Sequence, residues 1–121
     1  MMTPKQVLEQ WIEAFNNADI EKLVSLYHDD AINHQVANPP VIGKSNIEKM
    51  FKDEFSQAEM TCIPINFVCE GDWAVMEWTD PLDMKGCGFF NIIEGKIKLQ
   101  RGYWDKLTFL KLHNLPLPSK E

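Results

Sequence analysis

The chain has 121 residues, of which 45% are hydrophobic and 25% charged, and its net charge is −6. This length and composition predict one folded domain over residues 1–121, and they exclude a disordered chain. The acidic balance, with no cluster of Lys and Arg to offset it, predicts that nucleic acid and anionic membranes are not partners.

The first third of the chain predicts two helices and a short strand. Thr3 and Gln6 have the spacing of a capping box, and apolar residues recur at helical spacing after them. Asp19 predicts the cap of a second helix, which carries Tyr27 at its end on the apolar side. Residues 31–35 then predict a strand.

The rest of the chain predicts a third helix, a run of strands and a short last helix. Ser45 and Glu48 repeat the capping-box spacing before another helical apolar pattern. Asp105 predicts the cap of the last helix, residues 106–113. Helices followed by consecutive antiparallel strands predict an α+β fold. The expected strands are residues 60–69, 73–80, 86–93 and 96–105. They are joined by residues 70–72, 80–85 and 94–95, and the first and last of these connections are short enough for hairpins.

Several predicted strands are apolar on both faces, as in residues 63–68, 73–76 and 89–93. Antiparallel strands with one wet face alternate apolar and polar residues instead. Because the helices cover only one face, a second copy of the chain is the simplest cover for the other. The pattern therefore predicts a homodimer through the outer face of the sheet.

The three cysteines, Cys62, Cys69 and Cys87, lie in apolar stretches without a C-x-x-C pair. They predict small core residues rather than a disulfide or a structural zinc site. No group of His, Asp or Glu has metal-ligand spacing and no glycine-rich loop is present, so we expect no metal and no cofactor. The opening MMTPKQVLEQW lacks a signal-peptide core, and no apolar run has membrane-spanning length, so we expect a cytoplasmic protein.

Three segments together resemble NTF2-like (nuclear transport factor 2-like) domains of the SnoaL-like group. WIEAFNNADIEKLVSLYHDDAI (residues 11–32) is similar to their opening, GKSNIEKMF (43–51) to their third helix, and EGKIKLQRGYWDKLTFLK (94–111) to their last hairpin and tail. The resemblance implies a cone, in which N-terminal helices pack on a strongly curved, mostly antiparallel sheet around an apolar pocket. Many members dimerise through the outer face of that sheet.

The resemblance also implies which side chains face the pocket. In the ketosteroid isomerases, the tryptophan that matches Trp104 lines the pocket, and strand alternation then turns Gln100 the same way. The expected pocket and ligand-binding residues are Trp11, Tyr27, Asn33, Gln35, Met76, Trp78, Gln100 and Trp104.

The catalytic groups of the best-known relatives are not found at the matching positions. Where the isomerases carry a tyrosine, an aspartate base and a protonated aspartate, this chain has Trp11, Gln35 and, approximately, Cys87. Where the polyketide cyclases carry an aspartate and a histidine, it has Gln100 and, approximately, Gly86. We therefore expect neither mechanism.

Three ionisable residues are candidates for acid–base catalysis, each with a structural alternative. Asp80 is either a base at the pocket mouth, with its pKa raised by nearby Trp78, or a turn former before a proline. His34 is either a proton shuttle or a surface or interface histidine, since it alternates with Gln35. Asp105 is either an acid or the cap of the last helix.

Three functions agree with the sequence. The first is a dimeric protein that binds a small, largely apolar molecule, oriented by neutral hydrogen bonds from Tyr27, Gln35 and Gln100. The second is an acid–base enzyme, an isomerase, cyclase, dehydratase or epoxide hydrolase. The third is a structural dimerisation module whose cavity is filled by its own side chains. The relatives span all three classes, so fold alone does not choose between them.

Overall fold

The computed structural model describes residues 1–118, which form four helices and the six strands of one sheet. The helices are α1 (Pro4–Asn16), α2 (Ile20–Ser25), α3 (Lys44–Gln57) and α4 (Lys106–Leu112). The strands are β1 (Tyr27–Gln35), β2 (Val41–Ile42), β3 (Ile63–Glu70), β4 (Trp73–Thr79), β5 (Lys85–Ile93) and β6 (Lys96–Trp104). The α+β class predicted from the sequence is confirmed.

The sheet has the strand order β2-β1-β6-β5-β4-β3. Strands β3 to β6 form a meander of antiparallel hairpins, and β1 joins it by pairing parallel to β6. The register shifts in the β3–β4 and β5–β6 pairs, and such bulges increase the local bend and twist of a sheet. The sheet therefore curls around the helices that pack on its inner face.

Helix α1 begins as its sequence predicts. The Thr3 hydroxyl accepts a hydrogen bond from the Gln6 backbone N–H at 3.2 Å, and Gln6 Oε1 accepts one from the Thr3 N–H at 2.9 Å. The apolar side of the helix packs into the core through Leu8 and Trp11, which are buried. Asp19 caps α2 by accepting a hydrogen bond from the Lys22 N–H at 3.2 Å, so this cap is confirmed too.

Tyr27 lies in a strand, and its predicted position at the end of α2 is wrong. Helix α2 ends at Ser25, and the Leu26 carbonyl accepts a hydrogen bond from the Ile97 N–H at 2.8 Å. This bond ties the chain to β6, so β1 begins at Tyr27 rather than at residue 31. The polar residues 28–30, which indicate a helix stop, lie instead where the β1–β6 register shifts.

The capping box predicted at Ser45 is also wrong. Helix α3 begins at Lys44, and the residue before it is Gly43, whose φ of 90° suits glycine. The Gly43 N–H donates to the Ala31 carbonyl at 2.8 Å, so this glycine turns the chain from β2 into the helix. Asp105 does stand at the N-cap of α4, but its carboxylate accepts from the Thr108 hydroxyl rather than from a backbone N–H.

The cysteines differ in their surroundings more than the sequence indicates. Cys62 is buried, whereas Cys87 is half-buried and Cys69 is exposed. The prediction that all three are core residues is therefore wrong for Cys69, because β3 is the edge strand of the sheet. Burial raises the pKa of the Cys62 thiol to about 12, so this side chain stays protonated at neutral pH.

Candidate ligand-binding cavity

A cavity of about 660 Å³ lies between the inner face of the sheet and helices α1, α3 and α4. Its walls are mainly apolar, which is typical of sites for small organic molecules. The aromatic side chains that line it are Trp11, Phe15, Phe51, Trp78, Phe90, Trp104 and Phe109.

Neutral side chains beside the cavity form a hydrogen-bonded chain with two arms, and the first arm starts at Trp104. The Trp104 indole N–H donates to Gln35 Oε1 at 2.8 Å. Gln35 Nε2 donates in turn to Asn33 Oδ1 at 2.8 Å, and Asn33 Nδ2 donates to Gln100 Oε1 at 3.1 Å. This arm of hydrogen bonds thus crosses from β6 to β1 and back to β6.

The second arm of the hydrogen-bonded chain starts at Trp11 in α1. The Trp11 indole N–H donates to the Tyr27 hydroxyl oxygen at 2.9 Å, and the Tyr27 hydroxyl donates to Gln100 Oε1. Tyr27 and Asn33 are fully buried, so these bonds satisfy polar groups that water does not reach. Both arms of the chain end on the same oxygen of Gln100.

The two tryptophans fix the direction of every bond in the chain, because an indole N–H can only donate. Trp104 obliges Gln35 to present its oxygen, and Trp11 obliges the Tyr27 proton to point onward. Gln100 therefore turns its oxygen to the protein. Among the described residues Gln100 Nε2 has no hydrogen-bond partner, and it is not one of the fully enclosed unpaired atoms. Since Gln100 lines the cavity, its N–H₂ group is a donor available there.

Tyr27 is held in its neutral form. Its burial raises the pKa of the hydroxyl far above the ordinary value, and the charge of Glu54 raises it further, against the lowering effect of the Trp11 hydrogen bond. A neutral Tyr27 keeps the proton that it donates to Gln100. The chain of bonds therefore carries no net charge at neutral pH.

Glycines on the inner face of the sheet make room for the cavity side chains. A Cβ at position 102 would overlap the Gln35 amide, and one at position 86 would overlap the Trp78 indole. Gly86 and Gly88 pair with Trp104 and Gly102 on the cavity side. Cys87 pairs with Tyr103 on the opposite face, so it does not face the cavity.

Glu54, on the cavity side of α3, is a half-buried carboxyl group without a partner. Within residues 1–118 it forms no hydrogen bond or ion pair with another side chain. Burial alone raises its pKa to about 7, and no nearby cation offsets that effect. Glu54 is therefore partly protonated at neutral pH.

Asp80 and His113 form a pair of ionisable side chains at the cavity wall. Asp80 Oδ1 accepts the backbone N–H groups of Leu82 and Met84, at 3.0 and 2.9 Å, which holds the β4–β5 loop. The other oxygen, Oδ2, lies 3.6 Å from His113 Nε2, and both side chains are 11% exposed. His113 Nε2 is enclosed and has no hydrogen bond in the described structure.

The structure brings most of the predicted pocket residues together. Tyr27 and Asn33 do not line the cavity and act behind its wall through Gln100. His34 and Asp105 are not among the cavity-lining residues, whereas Asp80 is. The predicted residues that line the cavity are Trp11, Gln35, Met76, Trp78, Gln100 and Trp104.

Glu54 and His113 are absent from the sequence-based candidates. Glu54 follows Phe51 by three residues, and His113 follows Phe109 by four, so helical spacing places each on the same side as an aromatic cavity residue. That spacing was the available signal for both.

Residues 1–118 hold neither a cluster of metal ligands nor a helix that could span a membrane. No three side chains of His, Cys, Asp or Glu converge there as ligands for a metal ion. No helix in that part of the chain combines the length and the apolarity that crossing a bilayer requires.

Comparison with known families gives one clear match. A family profile described as the SnoaL-like domain matches residues 8–100. No curated protein sequence matches the chain.

Several solved structures have the same fold at low sequence identity. A candidate polyketide cyclase from Pseudomonas putida superimposes with a TM-score of 0.83 at 18% identity, over 93% of this chain and 98% of that one. An epoxide hydrolase of the LEH-like type from M. tuberculosis gives 0.77 at 21% identity, covering 90% and 87%. TerC, co-crystallised with polyporic acid, gives 0.80 at 16% identity, covering 92% and 98%.

Proposed function

Because the chain belongs to the SnoaL-like family and has the NTF2-like cone fold, we propose that its cavity binds a small, largely apolar molecule that carries a hydrogen-bond acceptor. The observation that carries the proposal is the free N–H₂ group of Gln100 in an aromatic cavity. A ketone oxygen of the ligand accepts a hydrogen bond from it. The rest of the ligand contacts the aromatic walls.

The size of the cavity supports binding over a purely structural role. A volume of about 660 Å³ lies within the range of sites that enclose drug-sized molecules, roughly 300–1,000 Å³. A dimerisation module whose own side chains filled the cavity would not leave this space. TerC, which has the same fold, was co-crystallised with the small molecule polyporic acid, which adds support.

The proposed donor is also pre-organised. Gln100 Oε1 accepts two hydrogen bonds, from Tyr27 and Asn33, so the amide plane is fixed before a ligand arrives. Fixing a group in its bound conformation beforehand lowers the entropic cost of binding. Neutral groups also cost less to desolvate than charged ones. The site therefore favours a neutral acceptor at this position.

The experiment measures the binding of prodan, a neutral naphthyl ketone whose fluorescence moves to the blue in apolar surroundings. We expect saturable binding to the wild type and a loss of about fivefold in affinity in Gln100→Met, in keeping with one lost hydrogen bond. Naphthalene, which has no acceptor, should bind both proteins equally. Gln10→Met, on the part of α1 outside the cavity, is the matched control. No saturable prodan signal, or equal losses for both ligands, would contradict the proposal.

Acid–base catalysis is the second candidate function, and the contact of Asp80 with His113 favours it. An enclosed imidazole 3.6 Å from a carboxylate, on a cavity wall, is a group that can accept and return a proton. Exchange of the α-hydrogens of tetralone for deuterium, followed by NMR, tests this activity. Exchange that stops in both His113→Ala and Asp80→Asn would support it, and exchange at the buffer rate in wild type would reject it for ketones of this kind.

We also propose that a second copy of the chain covers the outer face of the sheet. Val68, Val75 and Phe89 form a cross-strand row there, and Val68 is 57% exposed. Tyr103, 42% exposed, extends the apolar surface on β6. Light scattering at micromolar concentration should give a dimer that Val68→Lys weakens. A monomeric wild type would contradict this proposal.

A further inference from the structure

Glu54 is the cavity group that the proposed binding mode leaves unused. Its carboxylate lies on the wall formed by α3 and has no partner among the described residues. An unpaired carboxylate in an apolar cavity is costly to the folded protein, since burial disfavours its charge. A ligand that supplies a positive charge there would remove that cost.

The charges around the cavity also favour a cation. Glu54, Glu59 and Asp80 line it, against the single lysine Lys106. The Lys106 ammonium is already bound to Asn38 Oδ1 at 2.8 Å. The lining is therefore net negative when the carboxylates are ionised, which attracts cations and repels anions.

Aromatic residues lie near Glu54 in the sequence of α3: Phe51 lines the cavity with it, and Phe55 packs against the core. Phe51 and Phe55, on the same helix as Glu54, stack with ring centroids 5.9 Å apart, and Phe15 lies edge-on to Phe55 at 5.4 Å. Phe15 in turn stacks on Trp11 at 4.8 Å. Stacking covers one face of each of these rings, and an ammonium group over the other face of an aromatic ring is attracted by about 0.5–2 kcal/mol per contact.

We propose that the ligand of this cavity carries a protonated amine that binds the Glu54 carboxylate, in addition to the acceptor that binds Gln100. This inference rests on the proposed function and names the ligand class, an apolar amine with a carbonyl or similar oxygen. The ammonium donates a charge-assisted hydrogen bond to Glu54 and contacts the aromatic rings beside it. Carboxylic acids of the same shape are excluded by like charge.

Amine binding should depend on pH. Since burial raises the pKa of Glu54 to about 7, the carboxylate that binds the amine is present above that pH and lost below it. The other titratable or charged groups at the cavity are Glu59, Asp80, Lys106, His113 and the Cys62 thiol, whose raised pKa keeps it protonated over this range, with Tyr27 behind the wall. Comparison with Glu54→Gln, which keeps all of these, isolates the contribution of Glu54.

The experiment displaces prodan with three matched competitors, naphthylethylamine, naphthylethanol and naphthylacetate. Alkyl amines stay protonated up to about pH 10, so only the protein titrates over the range used. We expect the amine to displace prodan at a concentration about tenfold lower than the alcohol near pH 8.5, and naphthylacetate to be the weakest. The preference for the amine over the alcohol should disappear near pH 5.5. In Glu54→Gln it should be absent at both pH values. Asp53→Asn, an exposed neighbour on α3, should keep it.

The outcomes separate the two proposals. If prodan binds but the amine is no better than the alcohol, or is equally preferred in Glu54→Gln, this inference is wrong and the proposed function stands. If prodan shows no saturable binding to the wild type, the proposed function fails and this inference fails with it. Retained prodan binding in Glu54→Gln shows that the variant is folded.

Discussion

Trp104 donates its indole N–H to Oε1 of Gln35 at 2.8 Å. The bond fixes the orientation of the Gln35 amide, and through Asn33 it fixes that of Gln100. Gln35 reaches Trp104 by lying against the backbone of Gly102, where a Cβ atom would overlap its amide. The donor that Gln100 presents to the cavity thus depends on a glycine in the neighbouring strand.

Gly102→Ala should displace the Gln35 amide and break its bond to Trp104. We expect a loss of about 1–2 kcal/mol in the free energy of unfolding, because buried polar groups lose their partners. The matched control is the same change in a Gln35→Ala background, where the overlap is gone and the substitution should be neutral or stabilising. Urea unfolding of the four proteins checks this, and equal losses in both backgrounds would contradict it.

Tyr27→Phe should destabilise the protein through both of its neighbours. The Trp11 N–H loses its acceptor and Gln100 loses one donor, so we expect a cost of about 1–3 kcal/mol. Tyr103→Phe is the control, since Tyr103 lies on the opposite face of the sheet and its hydroxyl forms no hydrogen bond within residues 1–118. Thermal and urea unfolding of both variants make the comparison. Equal stability of Tyr27→Phe and Tyr103→Phe would show that the hydrogen-bonded chain does not stabilise the fold.

Much of the fold was predictable because local signals and tertiary packing agree. The Thr3–Gln6 capping box and the Asp19 cap form as their spacing predicts. Strand alternation turns Gln100 and Trp104 to one side, and both line the cavity. These patterns reflect backbone geometry, which a single sequence encodes directly.

The misplaced and missed residues depend on contacts between distant segments. Tyr27 continues a helical pattern, but pairing with β6 places it in a strand. The partnership of Asp80 with His113 joins a loop to the end of the last helix, which no local pattern specifies. From the sequence, Glu54 is one of several polar residues on a helix. Only the packing of α3 against the cavity places it at the site. Sequence patterns indicated the walls of the site and Asp80, whereas Glu54 and His113 were found only from the packing.

Glu54→Gln should stabilise the protein at high pH and not at low pH. A carboxyl whose pKa is raised from 4.5 to about 7 by folding makes the folded state progressively less stable between those two pH values, because the unfolded chain releases the proton first. The gain should be near zero below about pH 4 and on the order of 2 kcal/mol above pH 7, after allowance for solvent screening.

Urea unfolding at several pH values measures this gain, with Asp53→Asn as the exposed control on the same helix. A gain of the same size at every pH would mean that glutamine packs better, and no gain at high pH would mean that Glu54 is well solvated. Either result would contradict the burial of its charge.

The three thiols should react with Ellman's reagent in the order of their exposure. Cys69 is exposed on the edge strand and should react first, and Cys87 more slowly. Cys62 should react only after unfolding, because it is buried and its raised pKa keeps it protonated. Mass spectrometry of the labelled protein identifies the sites. Rapid labelling of Cys62 in the native state would show that the cavity wall opens.

The free amide of Gln100 is the group on which the account depends, and its NMR signal reports on it directly. In side-chain amide spectra recorded during titration with acetylnaphthalene, we predict a saturable downfield shift of the Gln100 Nε2 protons, as expected when they donate to a ketone. The Asn33 and Gln35 amides, already bonded within the protein, should move little. A titration that leaves Gln100 unchanged while the ketone binds elsewhere would contradict the account.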